Sequence, residues 1–349
     1  MEKEIRDRFN ERILAEAMER YGIAEGDIDL LDGFESFMYE FRHEDKAWGR
    51  GRETGPSVEE TGPKGEKYGR AGGEYILRLG HSRRRTPDLI RGEVDWINFL
   101  AEGGAGVARA IVSQNGNLVE EIGDDKDGAF LASAFVKARG GHVWDRGGWN
   151  DALIESYGRL LGRIHALSKE YRVADDAWRR PNWEDDQYSL DLPLEPVMAE
   201  KLDEVMDHLL ALPQDRESYG MIHQDAHAGN FFVDDDGRIT LFDFDDCVYG
   251  HFAYDLAMVL FYAVTNREDA AEFAAGFWPK FMDGYYQEIE LDAAWQKEIP
   301  HFMKLREIDL YAMLMRDYEL IKGDAWIESF LDGRRQRIVA GLPYLDMAF

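Results

Sequence analysis

The sequence has little of several features that mark particular protein classes. It contains one cysteine, Cys247, among 349 residues, which excludes an internal disulfide and a cysteine-rich metal site. Its longest apolar run, residues 256–264, is much shorter than the roughly 20 residues that a membrane-spanning helix needs. The opening residues, MEKEIRDRFNERI, are charged throughout rather than basic and then apolar. We therefore expect no secretory signal and a cytoplasmic location.

Positive charge is also scarce, with 41 basic against 69 acidic residues and a formal net charge of -28. This balance argues against nucleic acid and against an anionic membrane surface as partners, since both are bound through Lys and Arg. It would suit a cationic substrate, but a purely solubilising role is the simpler interpretation, because net charge does not say where the charges lie. The hydrophobic content of 45% supports a large core, and the length suits two lobes.

The order of the predicted elements indicates an α+β protein with two lobes. Residues 1–136 contain short alternating segments typical of strands, at 28–31, 37–42, 75–79, 107–112, 118–122 and 130–136. Residues 137–349 contain helical patterns at 150–167, 192–212, 267–287 and 299–320, of which Pro279 is expected to break the third. Residues 43–74 hold eight glycines and thirteen charged residues, which predicts a flexible insertion in the first lobe.

One segment of the second lobe carries most of the chemical information. It reads His223-x-Asp225-x-x-x-x-Asn230, then a turn at 234–237, an apolar strand at 239–242 and Asp243. Magnesium-dependent phosphoryl transfer needs a carboxylate that orients the attacking hydroxyl, and oxygen ligands for the metal that bridges the phosphates. A second hypothesis is a zinc or iron site, because His223, Asp225 and His227 alternate along the chain. The chain has no H-E-x-x-H motif in support of it.

This segment resembles the catalytic and metal loops of the aminoglycoside phosphotransferase and choline kinase-like family, which has a protein-kinase-like fold. The resemblance implies that Asp225 is the catalytic residue, that Asn230 and Asp243 bind Mg²⁺, and that the phosphate donor is ATP. It also implies that Asp255 supports the catalytic loop through backbone amides. Histidines 223 and 227 would then pack behind that loop and shape it.

The resemblance extends to the nucleotide site in the first lobe, although the chain has neither a G-x-G-x-x-G nor a Walker A motif. It implies that Arg78 binds phosphate with Glu93 as its ion-pair partner, and that the loop with Gly33 and Ser36 covers the phosphates. Arginine keeps the charge of the usual lysine and adds a planar fork of donors. The hinge that meets adenine would be formed by Phe135, Lys137 and Ala138.

The predicted function is an ATP- and Mg²⁺-dependent kinase that phosphorylates a hydroxyl group of a small, amino-bearing molecule. By resemblance that acceptor is similar to an aminoglycoside, homoserine or choline. Glu307, Asp309 and Asp317 are the acidic residues expected near a cationic acceptor. Two alternatives stay open: a bacterial protein Ser/Thr kinase of related layout, and a pseudokinase that binds nucleotide as a binding module.

Overall fold

A computed structural model of the chain describes residues 3–31, 33, 35–43, 73–185 and 194–347. The chain separates into two compact units. Unit 1 is drawn from Met1–Glu102, Val107–Ala138 and Val173–Arg179. Unit 2 comprises Gly103–Gly106, Arg139–Arg172 and Arg180–Phe349. An antiparallel sheet dominates the first and helices dominate the second, which confirms the predicted α+β class.

Unit 1 is built on one antiparallel sheet with the strand order β1-β2-β3-β6-β4, in which β5 also pairs with β6. The strands are β1 (Ile28–Leu31), β2 (Phe37–His43), β3 (Gly73–His81), β4 (Ala110–Ile111), β5 (Glu120–Gly123) and β6 (Ala129–Val136). The helices are α1 (Lys3–Arg6), α2 (Glu11–Tyr21) and α3 (Pro87–Glu102).

The two faces of β3 have different roles, because successive side chains of a strand point to opposite sides. Leu77 and Leu79 are fully buried and pack in a core with Ile13 and Tyr21 of α2. Arg78 lies on the other face of the strand. The hydrophobic alternation of β3 therefore fixes which face of the sheet carries the predicted phosphate ligand.

The predicted insertion at 43–74 is shorter than the sequence indicated. His43 is the last residue of β2 and pairs with Gly73, the first residue of β3, and Arg42 pairs with Glu74. These residues belong to the ladder of hydrogen bonds rather than to a loop. The remainder, 44–72, lies outside the described residues.

The described helices of unit 2 run from α4 to α11, and the longest is α4 with 20 residues. These are α4 (Asp151–Glu170), α5 (Pro196–Leu210), α6 (Phe252–Val264), α7 (Ala270–Tyr285), α8 (Ile299–Arg316), α9 (Tyr318–Ile321), α10 (Ala325–Leu331) and α11 (Arg334–Val339). Two small antiparallel pairs accompany them: β7 (Tyr219–Ile222) with β10 (Val248–His251), and β8 (Phe231–Val233) with β9 (Ile239–Leu241).

Helices α4 and α7 pack at very close range. A Cβ atom on Gly158 or Gly162 of α4 would overlap the backbone of α7, and one on Gly284 would overlap the carbonyl oxygen of Glu155. The prediction that Pro279 breaks α7 was wrong, since the helix continues through it. Proline removes one backbone hydrogen bond, but the close packing along α4 holds the remaining turns in place.

The apolar run at 256–264 lies in α6, whose side chains are buried in unit 2 almost without exception. Cys247 is also buried, as expected of a small core residue. In the part of the chain that the structure describes, no helix is long and apolar enough to cross a membrane.

Candidate active site

The two predicted metal ligands lie at the same end of one β-hairpin. Strand β8 pairs with β9 so that Phe231 lies opposite Leu241. One residue beyond this pair, the N–H of Phe242 donates to the carbonyl oxygen of Asn230 at 2.8 Å. Asp243 follows Phe242 directly, so Asn230 and Asp243 both lie just beyond this end of the hairpin, with Asn230 opposite Phe242 and Asp243 one residue further along the chain.

The predicted catalytic loop, residues 223–230, is anchored by hydrogen bonds to Asp255. The carboxylate of Asp255 accepts hydrogen bonds from the N–H groups of His223 at 2.9 Å and Gln224 at 2.6 Å. Gln224 has a φ of 69°, a left-handed conformation that is unfavourable for a residue with a side chain. Nε2 of His165, on α4, lies 3.2 Å from Asp255. The predicted supporting role of Asp255 is confirmed, and the close packing of α4 contributes to it.

His223 makes one hydrogen bond to the end of the hairpin and one within the predicted catalytic loop. Its Nε2 lies 3.0 Å from the carbonyl oxygen of Phe242, and its Nδ1 accepts from the N–H of Asp225 at 3.3 Å. Both ring nitrogens are therefore engaged with backbone groups. Within the described ranges, His223, Asp225 and His227 do not form a cluster with metal-ligand spacing. The zinc or iron hypothesis has no support in this geometry.

Three side chains surround the carboxylate of Asp225. Nη2 of Arg306, on α8, lies 3.2 Å from Oδ1, and Nε2 of His227 lies 3.3 Å from Oδ2. The side-chain amide of Asn230 donates to Oδ2 at 3.1 Å and to the Asp225 carbonyl at 2.9 Å. About a quarter of the Asp225 side chain (23%) stays exposed, so the carboxylate is both oriented and accessible.

These neighbours set the protonation state of Asp225. Burial acts to raise the pKa of this carboxyl group, but the charge and hydrogen bond of His227 and the charge of Arg306 outweigh it. The pKa of Asp225 is held well below its ordinary value as a result. A carboxylate with such a low pKa is a weak base, and what it offers an incoming hydroxyl is orientation and negative charge.

Sequence reasoning did not find Arg306. Its guanidinium donates to the hydroxyl of Tyr262 from Nε at 3.0 Å and also contacts that oxygen through Nη2. The guanidinium carbon lies 5.4 Å from the centre of the Tyr262 ring. Arg306 is 81 residues from Asp225 in the chain and belongs to no local motif, so only the packing of α8 against α6 brings them together.

The residues available to a metal ion fit an oxygen-binding cation. Because the nitrogen of the Asn230 amide is used by Asp225, the amide oxygen is the atom left for a ligand. Asp243 is exposed and has a φ of 63°, which turns the chain sharply at the end of the hairpin. The segment after it is fixed by buried Arg180, which donates to the carbonyl oxygens of Asp245 and Cys247 at 2.6 and 2.7 Å. An amide oxygen and a carboxylate are ligands that Mg²⁺ prefers.

Arg78 and Glu93 form the ion pair that the sequence predicted. Nη1 and Nη2 of Arg78 donate to the two carboxylate oxygens of Glu93 at 2.8 and 2.7 Å. Both side chains are buried, with exposures of 9% and 1%. The guanidinium carbon also lies 5.0 Å from the centre of the Phe135 ring. This two-pronged contact fixes the plane of the guanidinium within unit 1.

Gly33 and Ser36 lie in the turn between β1 and β2. Gly33 is exposed, and a Cβ atom at this position would overlap the carbonyl oxygen of Ser36. Ser36 is half-buried. The tightness of the turn accounts for the glycine without reference to a ligand, and the proposed contact of this loop with phosphate stays a prediction.

The predicted adenine hinge follows the end of β6. Phe135 is still paired in the sheet, and the N–H of Lys137 donates to the carbonyl oxygen of Glu74 at 3.0 Å. The ammonium group of Lys137 lies 2.6 Å from Glu40, so it is engaged at the sheet surface. The N–H of Ala138 has no hydrogen-bond partner among the described residues, which makes it the available donor of this segment.

The expectation that Glu307, Asp309 and Asp317 face a cationic acceptor is not supported by their positions. Glu307 is fully buried and pairs with Lys304 and, at 3.0 Å, with Arg334. Asp309 is 1% exposed. Asp317 pairs with its neighbour Arg316 at the end of α8. Helix α8 has buried residues on several sides, so no simple pattern in its sequence indicates which side chains are exposed.

Comparison with known proteins identifies the family. The family model described as "Phosphotransferase enzyme family" matches residues 67–290. A curated relative, the amicoumacin kinase of Bacillus subtilis (strain 168), is 34% identical over 99% of this chain and 97% of its own length.

Two solved structures show the same fold. One is an amicoumacin kinase in complex with AMP-PNP, Ca²⁺ and Ami, with a TM-score of 0.85 and 33% identity over 100% of this chain and 98% of that one. The other is a microcompartment-associated aminopropanol kinase, with a TM-score of 0.67 and 20% identity over 95% and 98% of the two chains. The predicted resemblance and the protein-kinase-like fold are confirmed. The chain belongs to the phosphotransferase enzyme family and is a kinase of that family.

Proposed function

We propose that this kinase transfers the γ-phosphate of ATP, with Mg²⁺, to a hydroxyl group of an amino-bearing small molecule of the amicoumacin type. The relative that matches nearly the whole chain is an amicoumacin kinase, and a solved relative holds AMP-PNP, Ca²⁺ and Ami. The observation that carries the proposal is the oriented, partly exposed carboxylate of Asp225, which accepts a hydrogen bond from Asn230 at the end of the β8–β9 hairpin.

In this proposal, Asp225 accepts a hydrogen bond from the acceptor hydroxyl and points the oxygen toward the phosphorus. Phosphoryl transfer has a loose transition state in which the nucleophile needs little activation, so a carboxylate of low pKa is adequate. It takes up the proton late in the reaction, when the oxygen has become acidic through its bond to phosphorus. Asn230 keeps the carboxylate in this orientation by donating to it.

Asn230 and Asp243 would hold Mg²⁺ through the amide oxygen and the carboxylate. The bound metal would neutralise charge on the phosphate oxygens of the nucleotide. The β8–β9 pairing and the hydrogen bonds from Arg180 to the segment after Asp243 would restrict the positions of both side chains before a metal ion binds.

Residues 1–136 would supply the nucleotide contacts, and residues 137–349 the catalytic loop and the acceptor site. Arg78, whose guanidinium is oriented by Glu93, would bind a phosphate oxygen. Gly33 and Ser36 would contribute the loop over the phosphates. Phe135, Lys137 and Ala138 would form the hinge, with the N–H of Ala138 as its donor.

A substrate panel tests the proposal directly. The purified protein would be incubated with ATP and Mg²⁺ and with an amicoumacin, an aminoglycoside, choline, homoserine or dephosphorylated casein, and phosphorylated products identified by mass spectrometry. We expect the highest kcat/KM with the amicoumacin. Acetylating the amine of the best acceptor removes its positive charge, and we expect this to lower kcat/KM. If kcat/KM does not change, the net charge of -28 plays no part in acceptor binding.

The alternatives give different results in the same panel. Phosphorylation of casein without turnover of any small molecule would support the protein Ser/Thr kinase. Mg-ATP binding with no product from any acceptor would support the pseudokinase. Activity that required Zn²⁺ and released no nucleoside diphosphate would contradict the kinase assignment itself.

A further inference from the structure

Two histidines and a glutamate meet on unit 2 at the contact between α5 and the start of α8. His208 lies in the last turn of α5, Glu298 is the residue before α8, and His301 lies in the first turn of α8. Nε2 of His208 lies 2.6 Å from Oε2 of Glu298, and Nδ1 of His301 lies 3.3 Å from the same oxygen. The two imidazole rings are stacked with centroids 4.0 Å apart.

The spacing of these three ligand atoms fits a transition metal ion. All three lie within 4.8 Å of one another. Metal bonds of about 2.1 Å at tetrahedral angles place neighbouring ligand atoms roughly 3.4 Å apart. The distance from His301 to Glu298 already has this value, and the shorter one from His208 is a hydrogen bond that a metal ion would replace by displacing its proton.

The local chemistry also favours a metal over a purely structural ion pair. The Nδ1 atom of His301 is shielded from solvent and has no hydrogen bond of good geometry to a side chain. The side chains of His208 and His301 are each 43% exposed, which leaves room for water as a further ligand.

We propose that His208, Glu298 and His301 form a binding site for a divalent transition metal ion such as Zn²⁺. Two imidazoles and one carboxylate suit Zn²⁺, Ni²⁺ or Cu²⁺, whereas Mg²⁺ prefers oxygen ligands alone. The site uses none of the residues assigned to phosphoryl transfer. It links α5 to the first turn of α8, the helix that carries Arg306, so a bound ion would stabilise the position of α8.

Calorimetric titration with Zn²⁺ tests this site. The protein would carry no polyhistidine tag, would be freed of metal beforehand, and would be held in excess Mg²⁺ so that sites made of oxygen ligands are occupied. We expect one equivalent of Zn²⁺ to bind. His301→Ala and His208→Ala should each weaken binding by about tenfold or more, and the double variant should lose this equivalent. In wild type, Zn²⁺ should raise the melting temperature by about 2 °C or more.

Two control variants separate this site from other histidines. His142→Ala removes a ring that stacks on Trp144, and His227→Ala removes the histidine beside Asp225. Both should bind Zn²⁺ as wild type does. His208→Asn and His301→Gln, which keep polar side chains, guard against loss of folding, and their melting temperatures in chelator should match wild type.

The proposal is overturned if wild type binds no Zn²⁺, or if the double variant keeps the same stoichiometry and affinity. It is also overturned if His227→Ala alone removes the equivalent. Co²⁺ gives a second readout, because its visible absorption should appear in wild type and be absent in the double variant. None of these measurements depends on kinase activity.

Discussion

The protein has two arginine–carboxylate pairs at its predicted functional positions, and they are built differently. In unit 1, Arg78 meets Glu93 through two hydrogen bonds, and both side chains are almost completely buried. In unit 2, Arg306 reaches one oxygen of Asp225 at 3.2 Å, and both side chains remain about a fifth exposed. The residues of the first pair are 15 positions apart in the chain, and those of the second are 81 apart.

This difference shows which partner of each pair is available for chemistry. Both carboxylate oxygens of Glu93 accept hydrogen bonds from Arg78, so the carboxylate positions the arginine. Asp225 divides its oxygens among Arg306, His227 and Asn230, so the surrounding groups position the carboxylate. In the first pair the carboxylate orients the arginine, whereas in the second the surrounding groups orient the aspartate.

The largest effect on turnover should come from replacing Asp225. We expect Asp225→Asn to lower kcat by about 10²–10⁴-fold, since a positioned proton acceptor contributes that much. The amide keeps the shape of the carboxylate but can no longer accept the proton. ATP affinity, measured by calorimetry, should change little. Asp203→Asn, at an exposed position of α5, is the control and should behave as wild type. Normal turnover in Asp225→Asn would show that another group is the base.

Asp243 extends the comparison to the carboxylate that is proposed to bind the metal ion. We expect Asp243→Ala to weaken Mg-ATP binding by about tenfold or more, because it removes a charged metal ligand. Binding of ATP in the absence of Mg²⁺ should change far less. Asp236→Ala, in the turn between β8 and β9, is an exposed control from the same hairpin. Equal Mg-ATP affinity in the Asp243 variant and wild type would place the metal elsewhere.

Three variants of unit 1 test the roles of Arg78 and Glu93 separately. Arg78→Ala should raise the KM for ATP by about tenfold, and Arg78→Lys should raise it less, since lysine keeps the charge but loses the fork. Arg78→Ala also leaves Glu93 buried without its partner, which costs about 3–5 kcal/mol of stability. The double variant Arg78→Ala/Glu93→Ala should regain much of that stability.

The same double variant separates the two roles of Arg78. Its KM for ATP should stay as high as in Arg78→Ala, even though its melting temperature recovers. A KM that recovered together with the melting temperature would mean that Arg78 acts only through folding and does not bind phosphate.

Arg306 should have a smaller effect, which appears in the pH dependence. The pKa of Asp225 is lowered by its neighbours, so the carboxylate stays ionised above that lowered pKa and activity falls only as pH drops through it. Arg306→Gln removes one positive charge, so the pKa of Asp225 rises and the acid limb of the profile of kcat/KM moves to higher pH. At neutral pH we expect a loss of about two- to tenfold, which corresponds to the roughly 0.5–1.5 kcal/mol of one ordinary hydrogen bond.

Arg316→Gln is the matched control for this experiment. Arg316 ends the same helix and pairs with Asp317 at 2.8 Å. Its replacement should leave the acid limb where it is. A profile for Arg306→Gln that coincides with wild type would show that Arg306 does not influence the ionisation of Asp225.

The contrast between the pairs also explains what the sequence could predict. The catalytic loop, the hairpin and Asp255 lie within 33 residues, and their spacing is imposed by local backbone geometry. Arg78 and Glu93 follow from a strand and the next helix. Arg306 and Tyr262 come from separate helices, and no local pattern distinguishes Arg306 from other arginines. Its position depends on packing that a single sequence does not reveal.

Two expectations were wrong for a related reason. Glu307 follows Arg306 directly, yet its carboxylate is buried against Lys304 and Arg334, whereas Arg306 reaches Asp225. The acidic composition led us to expect negative charge near the acceptor, but the number of charged residues does not say which side of a helix is buried. Pro279 was expected to end a helix, but the packing of α7 on α4 outweighs that local preference.

The smallest effect is expected from the segment between β2 and β3. Because His43 and Gly73 are paired neighbours in the ladder, residues 44–72 can be replaced by a two-residue Asn-Gly turn that suits an antiparallel hairpin. The free energy of loop closure changes by only about 0.6 kcal/mol for each doubling of loop length, and a shorter loop does not oppose folding. We expect the melting temperature to fall by no more than a few degrees.

A control with the 29 residues replaced by a Gly/Ser linker of equal length separates the effect of loop length from the effect of loop sequence. If both variants lose stability, residues 44–72 contribute to the packing of unit 1. If both keep their stability but lose kcat/KM, the segment acts on nucleotide or acceptor, and the contribution of unit 1 to activity extends beyond the Arg78–Glu93 pair.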